Sequence, residues 1–523
     1  MSATIPTQIE KCKGAIVATA IGDALGWPNE QRSKNKSKSP IVNDYFVEWT
    51  RRCSNPCYHN ESILPGEYSD DTQMALSVAR SIIAGNWEKF LAEKELPFWL
   101  KYERGGGGAL LKAAKSCDKG VLLWKSNYTR DYFNAGGNGA AMRILPHVIS
   151  YARIPDIAAL MVDVIKDTII THGHPRAILG ATCYAYALDY LLRKETVLEY
   201  SELVYAVIDG QNKWGALPNP ELFGNWLDIA DQYRGFNYTH EWETVRINMI
   251  KQLDFIKTSL KKGLMLDDTK ILTQLECFSK ANGAGDVAVL AAVYLASRYA
   301  NNPSLGIKVP AFSFGADTDT IASMTGGLLG MLSGINWIPT EWKAVQDYEC
   351  LIQIAELLLF DNIKETTKAD VLEAKAQESG WINSPIGKMR PIGKTTVKNG
   401  EYAIVTITKW QTALGQTLYT KEMQRLENQP YPSENQIPLL HKSAASISIQ
   451  TPAELEEQQG QFVLNTAVID TLLNNSQFKK NITIGKVLKI IQALVKNNES
   501  VSAVARRFEV DEAMAELIKS CIK

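Results

Sequence analysis

Along the first two-thirds of the chain, apolar residues recur at helical spacing, and several segments are apolar on nearly every side. "KGAIVATAIGDALG", "DTQMALSVARSIIAG", "DIAALMVDVIKDTII", "AILGATCYAYALDYLLRK" and "DVAVLAAVYLASRYA" are built from Ala, Leu, Ile and Val. That period predicts helices, and helices apolar all round belong inside a large bundle. Residues 1–365 are expected to form one all-α domain with few strands. Within it, about 190–280 is more polar, carries Trp214, Trp226 and Trp242, and reads as a peripheral helical insertion.

After about residue 365 the period changes. "GEYAIVTITKWQTALGQTLYTKEM" alternates and is β-branched, which predicts a small strand-rich module over 366–427. Residues 428–461, rich in Pro, Ser and Gln, read as a linker, and 462–523 as a C-terminal helical module. Its end, "SVSAVARRFEVDEAMAELIKSC", has the look of a helix-turn-helix. The second helix would bring Asp511, Glu512 and Glu516 to phosphates with the wrong sign. Protein docking or dimerisation is therefore the expected role of the tail, ahead of nucleic-acid binding.

Composition narrows the picture only a little. A net charge of -1 over 523 residues gives no whole-chain reason to bind nucleic acid or an anionic membrane. No apolar run reaches spanning length, and the start, "MSATIPTQIEKCKG", lacks a charged segment followed by an apolar one. Cytoplasm is the expected compartment. Eight cysteines over this length do not form a disulfide framework. Cys53, Cys57 and His59 raise a zinc reading, but no second Cys/His pair stands nearby, and a loop of free thiols is preferred.

The informative chemistry is acidic. "YSDDTQM" places Ser69, Asp70, Asp71 and Thr72 ahead of one apolar helix, and "FGADTDTIASMTGGLLG" places Asp317, Asp319 and Thr320 ahead of another. Helix capping explains one such acid, since Ser, Thr and Asp suit the N-terminus. It does not explain two acids plus hydroxyls, twice, among apolar and glycine neighbours, where buried charge needs a counter-charge. A hard divalent cation held by oxygen ligands supplies it. Four carboxylates and two hydroxyls suffice for two ions, an arrangement used in hydrolysis. The absence of adjacent Cys or His favours magnesium, with manganese the alternative.

Other stretches leave alternatives open. "NAGGNGAAMRILPHV" contains Gly137, Asn138 and Gly139 before an expected helix, where backbone N–H groups either hold a diphosphate or simply start the helix. His172 and His174 in "THGHP" are two apart, which excludes an i,i+4 metal pair. Gly105 to Gly108 form either a phosphate lid or a hinge.

"IGDALGWPNE", "YSDDTQM", "GNGAAMR", "THGHP" and "FGADTDTIASMTGGLLG" follow one another in this order between residue 14 and about 335. Together they resemble the ADP-ribosylglycohydrolases, the family of the dinitrogenase reductase-activating glycohydrolase. The resemblance implies an orthogonal helical bundle, a dinuclear magnesium site, and hydrolysis of the bond joining ADP-ribose to a modified group. It implies metal ligation by Ser69 (where the family has threonine), Asp70, Asp71, Asp317, Asp319 and Thr320. It implies an ADP-ribose pocket touched by Gly137, Asn138, Gly139, Met142 and His172, with Glu30, on a mobile loop, or Asp71 activating water. Asp23 is expected to support rather than react. The implied substrate is an ADP-ribosylated protein, arginine-linked first, then a serine-linked or small-molecule conjugate. Two other readings stand beside it: a pseudoenzyme that senses ADP-ribose and signals through its C-terminal modules, and a two-metal phosphohydrolase.

Overall fold

The first helix, Gln8–Ser33, and the helix Thr318–Ser333 form the central pair of the bundle in the computed structural model. Their small residues are the reason they can touch backbone to backbone. A Cβ on Gly22 would lie 2.2 Å from the carbonyl oxygen of Ala322, and one on Gly26 would lie 2.2 Å from that of Thr318. The Thr318 hydroxyl donates to the Gly26 carbonyl at 2.7 Å. The apolar run behind Asp319 is thus a packing surface, and its contact sets the first helix in register with the start of the second. Helices Asp70–Ile83, Pro175–Arg193, Gly285–Arg298 and Tyr348–Phe360 surround the pair.

The structure describes residues 5–33, 39–235, 237–360, 380–399, 403–426 and 500–507. The expected linker and most of the C-terminal helical module, including the second half of the helix-turn-helix, lie outside the described residues. Met1–Ile437 and Pro438–Lys523 are separate units, and the second contributes one described helix, Val501–Arg507.

Two local expectations are corrected. The segment from 190 to 280 is helical, but it is not peripheral to the core: Trp214, Trp226 and Trp242 are fully buried in the main apolar cluster. Each indole N–H is satisfied there, by the Val207 carbonyl, the Tyr132 hydroxyl and the Gly215 carbonyl. A tryptophan with a bonded N–H buries well even on a polar-looking helix. The expected thiol loop is a β-hairpin, β1 (Trp49–Cys53) paired antiparallel with β2 (His59–Ile63). Its inward side chains include His59 and Glu61, so no apolar alternation announced it.

The later strands form an antiparallel meander: β3 (Ile382–Ser384), β4 (Gly387–Asn399), β5 (Ala403–Thr412) and β6 (Thr417–Arg425). Ile386, Met389 and Leu418 of this region share an apolar cluster with Met74 and Val78 of the Asp70–Ile83 helix. No helix among the described residues is long and apolar enough to cross a membrane.

Candidate metal centre

Both acid-bearing stretches arrive at one place because each opens a helix of the central bundle. Carboxylate oxygens of Asp23, Asp71 and Asp319 lie within 4.8 Å of one another, and all three residues are buried. Asp71 Oδ2 accepts from the Ser69 and Thr320 hydroxyls, each at 3.3 Å, joining the two sequence clusters directly. Its other oxygen, Oδ1, is buried with no partner. Asp317 is half-buried; although it occupies the N-cap position of its helix, it makes no capping hydrogen bond, and instead accepts from Asn138 Nδ2 at 2.8 Å. Ser69 does cap, accepting from the Asp71 N–H.

Asp23 has a different position from the other acids. One oxygen accepts from Ser69 N at 2.9 Å; the other accepts from Thr72 N at 3.0 Å and the Thr72 hydroxyl at 2.6 Å. It holds the first turn of the Asp70 helix in place. Asp70 faces the glycine stretch: a Cβ on Gly105 would come within 2.8 Å of its Oδ1, and Gly105 also has φ +115°. Glycine is required there on both counts.

The electrostatics are one-sided. Burial is the largest influence on Asp70, Asp71 and Asp319, and it pushes all three carboxyls well above the usual range. Neighbouring carboxylates push the same way: Asp23, Glu103 and Glu30 on Asp70, Asp23, Asp70 and Asp317 on Asp71, and Glu30, Asp317 and Asp71 on Asp319. No arginine or lysine figures among the strongest influences on these groups. An all-oxygen set of buried acids and hydroxyls, with one orphaned carboxylate oxygen, fits a hard divalent cation.

Glu30 is near enough to act on Asp70 and Asp319, but it lies on the Gln8–Ser33 helix rather than on a loop. The helix continues through Pro28 to Ser33, which carries Glu30 past the point where the proline suggests a break.

The Gly137–Gly139 stretch sits beside the acids but is not the start of a long helix; a single 3-10 turn, Ala141–Arg143, follows it. The Asn138 N–H is committed to the Gly283 carbonyl at 2.9 Å. His172 faces this stretch, with Nε2 3.5 Å from a Cβ placed on Gly139. Burial, then the Arg143 charge, lowers its pKa to about 3, so the ring is neutral. The Thr171 hydroxyl accepts from Arg143 at 3.0 Å and lies in hydrogen-bond contact with His172 Nδ1 at 2.8 Å. Arg143 itself is a buried ion pair with Asp167 at 2.7 Å. Met142 is buried in the apolar cluster that includes Met74 and Ile170.

Sequence reasoning missed Asn282–Gly285. Gly283 lies against Asp317, and Gly285 N donates to the Gly136 carbonyl, so this turn forms the opposite wall. The run "NGAG" ahead of an apolar helix was a visible signal of the kind already used for Gly136–Gly139. The hairpin supplies a second group with ligand atoms within 4.8 Å, Cys53, His59 and Glu61. There, however, Glu61 already pairs with Arg104 at 2.8 Å, Lys421 at 3.0 Å and Arg51 at 3.4 Å.

Fold and site together define a helical bundle protein with a buried carboxylate centre that could hold a metal ion. The chain belongs to the ADP-ribosylglycohydrolase family, whose sequence profile matches residues 4–369. It is 27% identical over 362 residues to ADP-ribosylhydrolase ARH3 of Xenopus tropicalis, covering 64% of this chain and 90% of that protein. It is 30% identical over 176 residues to the ADP-ribosyl-[dinitrogen reductase] glycohydrolase of Rhodospirillum rubrum, 33% of this chain and 54% of that one. To ADP-ribosylarginine hydrolase Tri1 of Serratia proteamaculans it is 28% identical over 193 residues, 35% and 48%.

Proposed function

We propose that this protein is a magnesium-dependent hydrolase that removes ADP-ribose from a modified acceptor, with arginine on a protein as the first candidate. The carrying observation is the buried acid centre with the orphaned Asp71 oxygen, in a chain of this family. Ser69, Asp70, Asp71, Asp317, Asp319 and Thr320 would hold two magnesium ions, or manganese in their place. Bound there, the ions would supply positive charge to orient and polarise the substrate.

The protein's own groups then have distinct tasks. Asp23 fixes the first turn that presents Asp70 and Asp71. Glu30, at the edge of the centre, takes a proton from the attacking water; Asp71 is the alternative base. The water oxygen bonds to the anomeric carbon, the bond to the acceptor breaks, and the acceptor leaves with a proton. The half-buried Gly137–Gly139 wall and the neutral His172 ring bind ADP-ribose. Met142 supports that wall from within the apolar cluster.

The arginine assignment draws on the relative named as an arginine hydrolase; serine-linked and small-molecule conjugates follow. The deciding experiment incubates arginine-, serine- and nucleic-acid-linked ADP-ribose in parallel, with and without a chelator. Release of free ADP-ribose that stops with chelator is expected. Binding of ADP-ribose with no cleavage of any conjugate in saturating magnesium would instead make the protein a sensor. Release of AMP or inorganic phosphate would make it a phosphohydrolase.

A further inference from the structure

The family profile ends at residue 369, yet the buried ionic network behind the carboxylate centre is completed from beyond that point. Two loops frame Ser69–Asp71. One comprises the end of β2 from Glu61 and the turn that follows it to Tyr68, and leads into Ser69. The other, Tyr102–Gly105, ends against Asp70. Strand β6 reaches both. The Tyr419 hydroxyl donates to Glu67 Oε1, and its ring lies 3.7 Å under the Arg104 guanidinium. Lys421 Nζ pairs with Glu61 at 3.0 Å and approaches the Glu103 carbonyl at 3.4 Å, while Lys421 N donates to the Lys101 carbonyl at 3.3 Å. Arg104 ties the two loops to each other, through Glu61 and Glu67, each at 2.8 Å. At the strand's start, the Thr417 N–H and the Tyr68 hydroxyl share Asp347 Oδ2, at 2.8 and 2.6 Å. Tyr68 is the residue before Ser69.

We propose that the β3–β6 sheet is a brace for the carboxylate centre, and that Tyr419 and Lys421 are positioning residues for Ser69, Asp70 and Asp71. Buried ion pairs hold geometry well only when every member is present, because removing one leaves its partner charged and unpaired. Without the Tyr419 hydroxyl, Glu67 loses a partner two residues from Ser69. Without the Lys421 ammonium, Glu61 loses a cation and the Glu103 carbonyl loses a donor, leaving only the Lys421 N–H on the Lys101 carbonyl. The acids of the centre repel one another, so their separation must be imposed from outside, and the sheet is joined to both loops that impose it. The consequence for metal rests on the function proposed above; the bracing itself does not.

The test uses the full chain as Tyr419→Phe, Lys421→Met and, as the conservative rescue, Lys421→Arg. Tyr419→Phe keeps the ring on Arg104 and removes one hydroxyl. Hydrogen–deuterium exchange over residues 61–71 and 101–106 reads the brace, and Mn2+ dissociation constants from free-ion EPR read its consequence. The expected result is faster exchange in both loops and Mn2+ affinity lowered roughly 10- to 100-fold, the range for residues that orient ligands, with Lys421→Arg close to wild type. Unchanged exchange in both loops of a folded Tyr419→Phe or Lys421→Met protein overturns the brace, as does unchanged Mn2+ affinity when the wild type binds. If the loops loosen but the wild type takes up no Mn2+, the brace stands and the metal-hydrolase reading falls.

Discussion

Two acid clusters lie side by side in this protein and are solved in opposite ways. Glu61, Glu67 and Glu103 are interleaved with Arg51, Arg104 and Lys421. The Arg104, Lys421 and Arg51 charges outweigh burial and hold the Glu61 carboxyl far below its usual range. The centre at Asp71 is just as buried, but burial and like charges together raise its carboxyls. Burial of acids alone is therefore no signature of function. The difference lies in whether the protein supplies the counter-charge or leaves it to a ligand.

That contrast can be broken experimentally. The largest effect is expected from Arg104→Gln, which strands Glu61 and Glu67: a loss of about 3–5 kcal/mol, the cost of breaking a buried pair, measured by denaturant unfolding. An equal result from a variant in the Asp71 centre would erase the distinction. Next, magnesium at a hundred times its dissociation constant should stabilise the protein by about 2.7 kcal/mol, and chelator should remove this gain in a thermal melt. Third, Asp71→Asn in chelator should raise stability by roughly 1 kcal/mol, since it deletes one of several repelling charges. The same variant should lose hydrolysis by more than the roughly 100-fold typical of residues behind the ligands. Removing a charge thus helps one cluster and harms the other.

The smallest effect concerns His172, whose folded pKa is lowered to about 3 from an ordinary 6.5. Below pH 6.5 the unfolded chain gains a proton that the folded ring refuses, so stability is lost as pH falls toward 3. Between pH 7 and 6 the difference from His172→Gln should be less than about 1 kcal/mol, read from paired unfolding curves. A variant with the same acid slope as wild type would show that His172 is not held neutral by its surroundings.

The sheet was legible from its alternation, because its inward residues, such as Val405 and Leu418, are apolar. The β1–β2 hairpin was not, because His59 and Glu61 point inward with partners drawn from distant loops. The acid centre was legible as two local oddities, acids and hydroxyls where one cap would do. Glu30 was visible as a residue, but the loop expected for it came from the resemblance, and its place on the Gln8–Ser33 helix appeared only in the structure.

What the sequence determined by itself was which chemistry the chain carries: helical period, glycine and alanine at close contacts, and oxygen donors ahead of two apolar helices. Those features act through neighbours along the chain and leave local marks. Only the tertiary structure decided which charges are answered. Lys421 lies 360 residues from Glu61 in the chain and 3.0 Å from it in space. No comparable cation approaches Asp71 among the described residues. Coulomb energy depends on distance through space and on the local dielectric, and neither can be read from spacing along a polypeptide.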